Sequence, residues 1–138
     1  MKRTALILAV LLLCAAMLSS CDGIKEQQSV DQLDKLEQQF EQKGYECSRW
    51  KDTGNASYAE SLVSASGVLL KGGITGMMEY MYTDESAGKH VYGVVIGTTC
   101  KDDSEKVGEV YVASIENVVK TVECTAYPLY VQIEYTLS

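Results

Sequence analysis

The chain has 138 residues, of which 46% are hydrophobic, and a net charge of −7. That is the length of one domain and enough chain to bury a core. The acidic balance gives no electrostatic basis for binding nucleic acid. With one proline and ordinary hydrophobicity, nothing beyond about residue 29 reads as disordered.

Lys2 and Arg3 precede an apolar run from Ala5 to Met17, and Ser19 and Ser20 stand directly before Cys21. Basic, apolar and small-residue stretches in that order make a secretory signal. The apolar run is shorter than the roughly 20 residues a membrane-spanning helix needs. The stretch Leu18-Ser19-Ser20-Cys21 resembles the lipobox of bacterial lipoproteins. The resemblance covers residues 1–21. It implies a diacylglycerol group on the Cys21 sulfur and cleavage after Ser20, so that residues 1–20 are a signal peptide. It also implies a chain held by acyl groups such as palmitate on the extracytoplasmic side of a cell membrane or outer membrane. Losing Lys2 and Arg3 takes the net charge from −7 to −9. An anionic membrane surface then repels the domain, and the lipid does the anchoring.

Residues 21–28 are the lipid-bearing cysteine and a short polar tether, whose seven residues from Asp22 reach at most about 23 Å. Residues 29–138 form one α+β domain. Its first element is a helix from Ser29 to Lys43, with Ser29 and Gln32 as a capping box and Gly44 as the stop. Val30, Leu33, Leu36 and Phe40 make the apolar stripe of this helix. Tyr45 to Trp50 has β character, Lys51 to Asn55 is a turn, and Tyr58 to Ser66 is a short helix before Gly67. Met78, Tyr80 and Tyr82 share one face of a strand. A polar turn with Gly88 leads to an apolar strand, His90 to Thr99, that expects cover on both faces.

Asp102 to Lys120 is rich in β-branched residues. Its apolar positions, from Val107 through Val118, Val119 and Val122, nonetheless recur at steps of three and four. That periodicity predicts a helix. Val131, Ile133, Tyr135 and Leu137 alternate as a last strand, and Pro128 just before it suits a sheet edge. After the first helix the order is β-α-β-β-α-β, the split βαβ order of ferredoxin-like folds. That arrangement is one antiparallel sheet with helices on one face.

Chemistry is sparse. One histidine, His90, and no Cys-x-x-Cys pair argue against a metal site, and no cofactor is expected. Paired acids at Asp84-Glu85 and Asp102-Asp103 suit a turn and a helix start. Gly72-Gly73-Ile74-Thr75-Gly76 lacks the Lys-Ser or Lys-Thr of a phosphate loop. Of the cysteines after Cys21, the ferredoxin-like order favours a Cys47–Cys124 disulfide, because it makes the first and last strands antiparallel neighbours. Met78, Tyr80 and Tyr82 form either an interaction patch or core. The reading that follows is a non-catalytic binding or cell-envelope accessory module whose partner is an envelope protein or a small ligand. The alternatives are a thiol-dependent enzyme or redox protein using Cys47, Cys100 or Cys124, and a spacer without a specific ligand.

Overall fold

A computed structural model describes residues 21–49 and 55–138. Residues 1–20, read as a signal peptide ending in a lipobox, and residues 50–54, with most of the expected turn, lie outside the described residues. The elements are α1 (Cys21–Gln42), β1 (Glu46–Arg49), α2 (Asn55–Ser66), β2 (Gly76–Asp84), β3 (Lys89–Gly97), α3 (Lys101–Ile115), β4 (Val119–Ala126) and β5 (Tyr130–Leu137). The fold is α+β. Its five strands make one sheet in the order β1-β2-β3-β5-β4, and every neighbouring pair is antiparallel.

Three expectations are corrected here. The first strand pairs only with β2 and stands at one edge, so the ferredoxin-like neighbourhood of first and last strands is not formed. The helices cover both faces: Leu33, Leu36 and Phe40 of α1 pack on Met78, Tyr80 and Val95, whereas Ala59 and Val63 of α2 and Val107 and Tyr111 of α3 pack on Met77, Val94, Ile96, Val131 and Ile133. The last strand is interior, and Pro128 sits in the turn before it. The reading of β3 holds. Val94 and Ile96 meet α2 and α3, and Val95 meets α1, so both faces are buried.

Helix α1 is described over Cys21–Gln42, so the backbone of the stretch read as a tether is helical. Ser29 therefore lies inside the helix rather than at its cap. It is fully buried, hydrogen-bonds Thr75 Oγ1 at 2.6 Å and donates to the Leu129 carbonyl at 2.8 Å. Gly44, at φ +83°, ends α1 as expected of a residue that enters the left-handed region without a Cβ penalty. Arg49 closes the layer. Its buried guanidinium donates to Asp34 on α1 at 2.8 Å, with Glu37 at 3.9 Å.

On the opposite face, α3 is locked at its start. Asp103 is fully buried, and its two carboxylate oxygens accept the backbone N–H groups of Lys71 and Gly72, each at 2.8 Å. A Cβ on Gly72 would strike Thr99 Oγ1, so only glycine lets the 71–72 backbone reach the carboxylate. The predicted helix over 102–120 is real only as far as Ile115; a strand, β4, starts at Val119.

Candidate functional site

The sheet register sets out a row of side chains across four strands. Glu46 faces Met81, Met81 faces Tyr92, and Tyr92 faces Tyr135. Ser48 and Glu79 form a second pair beside it. Because side chains alternate between faces with period two, all of these lie on the side of α2 and α3. The two helices cover the rows through Met77, Ile96, Val131, Val94 and Ile133. The row from Glu46 to Tyr135 extends past that cover and floors an open cleft of about 390 Å³.

The cleft has a definite chemistry. Glu46 and Glu79 are exposed, and among the described residues no lysine, arginine or histidine lines it. The two glutamates are diagonal neighbours on adjacent strands, a relation that sets Cβ atoms about 7–8 Å apart. The Tyr92 and Tyr135 rings stack with centroids 5.7 Å apart. Tyr111 of α3 and Tyr58 of α2 stand within electrostatic reach of Tyr135. Burial, then Glu79, push the Tyr135 phenol above its ordinary pKa. Burial, then Tyr135 and Glu79, do the same to Tyr111. Both phenols therefore stay neutral near pH 7, and among the described lining residues only the glutamates carry a formal charge. Carboxylates beside half-buried aromatic rings are an arrangement that attracts cations.

The three tyrosine-stretch residues singled out in the sequence do not make an exposed patch. Met78 is 0% and Tyr80 3% exposed, both under α1, and Tyr82 is half-buried. The Tyr80 ring lies across Gly93, a position where any Cβ would collide with it. Its hydroxyl donates to Glu134 Oε1 at 2.7 Å and accepts from Gln132 Nε2 at 2.8 Å. Phe40 packs against the same ring, centroid to centroid 4.4 Å. This cluster ties β2 to β5 over the back of β3 and leaves no room for a partner.

Cys47, Cys100 and Cys124 are free thiols, and the Cys47–Cys124 pairing is corrected. Cys47 is on β1 and Cys124 on β4, at opposite edges of the sheet. Four strand spacings put them about 19 Å apart, well beyond the roughly 7 Å between Cα atoms that a disulfide tolerates. They also face opposite ways: Cys47 packs with the α1 layer, and Cys124 lies under Gly108 of α3. Burial, then Glu41 and Glu37, push the Cys47 thiol up to about 11. Burial and Glu109 raise Cys124. Thiols shifted this way hold their protons near pH 7 and are poor nucleophiles. His90, exposed at the start of β3, meets the Thr83 hydroxyl through Nδ1 at 3.2 Å. Among the described residues, no three of His, Cys, Asp and Glu gather as a metal-binding set.

Comparison with known proteins adds no name. No family model, curated protein or solved structure matches the chain. The geometry is therefore the whole basis for a functional reading. Sequence reasoning missed the cleft because Glu46, Glu79, Tyr92 and Tyr135 come together only through strand register. One signal was present: Glu79 is the only charged residue between Gly76 and Thr83, a segment otherwise made of Met, Tyr, Gly and Thr. A lone charge inside such a strand marks a place where the helix cover ends.

Proposed function

We propose that this chain is a lipid-anchored, non-catalytic binding module of a bacterial cell envelope, and that its ligand presents a positively charged group to the cleft over Glu46, Glu79, Tyr92 and Tyr135. The observation that carries the reading is the lining: two exposed carboxylates and stacked tyrosines, with no basic residue beside them among the described residues. The anchor rests on the Leu18-Ser19-Ser20-Cys21 motif. The same motif is what supports a position on the extracytoplasmic side of a membrane. There a ligand-binding domain meets solutes and neighbouring envelope proteins alike.

A cation over a tyrosine face gains about 0.5–2 kcal/mol depending on its desolvation. A carboxylate partner makes the hydrogen bonds charge-assisted when the cation carries N–H groups. Primary ammonium ions therefore bind more tightly than quaternary ones if Glu46 and Glu79 dominate, and the order reverses if the rings do. Calorimetric titration with ethylammonium, tetramethylammonium and acetate tests the site. The expected result is saturable binding of a cation, none of acetate, and a loss of about tenfold in affinity for Glu79→Gln. The variant's thermal midpoint should stay unchanged, since Glu79 is exposed. Absence of cation binding, or equal binding by Glu79→Gln, removes the site. The anchor is tested separately by metabolic labelling with palmitate, which Cys21→Ala should abolish.

A further inference from the structure

The sheet has a second surface with its own chemistry, on the edge away from the cleft. Among the described residues β4 pairs only with β5, so its outer backbone groups have no strand partner. Six consecutive residues, Lys120 to Thr125, are exposed. The usual devices that blunt an edge are a bulge and a lysine. Here both sit at one end, as the irregularity between Val119 and Thr121 and as Lys120. From Thr121 to Ala126 the register with β5 is unbroken. That is long enough to template another strand.

The two faces beside this edge agree in sign. On one face α3 overhangs β4 and forms a groove of about 450 Å³. Gly108, Val112 and Ala126 line its apolar part, and Glu105, Glu109 and Glu116 stand along it. These three acids fall at steps of four and seven, so one side of α3 carries all of them. On the other face Glu123 stands opposite Glu134. Pairing of β4 with a second copy would bring both sets of carboxylates against their own kind, which opposes it. The edge calls for the reverse charge.

We propose that β4 accepts an extended segment of a partner protein as a sixth strand, and that this segment alternates basic and β-branched residues. Main-chain hydrogen bonds to the outer side of β4 supply affinity, and the alternating faces supply selectivity. The branched side chains enter the groove under α3. The basic ones, on the other face, meet Glu123.

The probe is a labelled synthetic heptapeptide alternating lysine and valine, titrated into the purified full chain at low salt and followed by fluorescence anisotropy. Two control peptides replace lysine by glutamate or carry N-methyl groups on every amide. The expected result is binding of the lysine–valine peptide alone. Its affinity should fall about tenfold in Glu109→Lys and in Glu123→Lys, and again as salt is raised. Both substitutions are at exposed positions, so unchanged circular dichroism keeps folding out of the comparison. Hydrogen exchange should show slower exchange of β4 amides when the peptide is bound. Failure of the lysine–valine peptide to bind, equal binding of the N-methylated peptide, or unchanged exchange in β4 overturns the proposal. Sedimentation showing a dimer that itself protects the β4 amides overturns it in favour of self-pairing.

Discussion

Asp102 and Asp103 are neighbours with unequal roles. Asp102 is exposed and pairs with Lys71 Nζ at 2.6 Å, and that lysine holds its carboxyl below the usual range. Such surface pairs contribute little to stability. Asp103 is buried and satisfies two backbone donors of the loop that approaches Thr99. Asp103→Asn turns one acceptor into a donor facing a buried N–H. Leaving that group unpaired should lower unfolding free energy by about 2–3 kcal/mol, read from urea titration. Asp102→Asn should leave the midpoint nearly unmoved. The adjacent acids read alike in sequence because only the packing of 71–72 against Thr99 separates them.

At the level of elements, the apolar pattern misleads in the stretch after Asp102. The apolar steps of three and four hold through α3, where Val107 and Tyr111 are buried. They continue by coincidence into Val118 and Val122, which are exposed in or next to a strand. Beyond Glu116 the dense β-branched residues and pairing with β5 decide the matter. The remaining elements were legible from alternation, glycine stops and turn residues. Their assembly was not, because which strand lies beside which depends on long-range pairing; the unbroken apolar run of β3 told of cover on both faces without telling which helix supplies it. The seat of α3 on β4 also depends on one small residue. A Cβ on Gly108 would lie 2.8 Å from Cys124 Sγ and 3.0 Å from Val131 Cγ2. Gly108→Val should force the helix outward and cost about 1–3 kcal/mol in thermal or urea unfolding. Any function that uses the groove beside it should fall together with stability.

For the whole molecule, the shifted thiols and phenols of both helix layers move in one direction. Burial pushes the Cys47 thiol to about 11, helped by Glu41 and Glu37. Burial is also the first cause of the upward shifts at Tyr80, Tyr111 and Tyr135. Their ordinary values are 9.0 for the thiol and 10.0 for the phenols. Below about pH 9 folded and unfolded chains both hold these protons, and the groups impose no pH dependence. Above it the unfolded chain releases them first, so stability falls as pH rises from about 9 through 11 and on toward the phenols. Urea midpoints measured across that range should decline, and Cys47→Ala with Tyr135→Phe should flatten the decline. A rise in stability over the same interval would contradict the burial of these groups.

The position of β5 carries a consequence in time rather than space. It is the latest strand in the sequence, yet it lies between β3 and β4. A chain delivered residue by residue, at a ribosome or through a membrane pore, therefore exposes the open side of β3 until Tyr130–Leu137 arrive. Val94, Val95 and Ile96 are then unshielded along one flank of the growing sheet. The period before the last strand inserts is the one in which a chaperone has most to protect. It is also the one in which a wrong strand can most easily take the empty place.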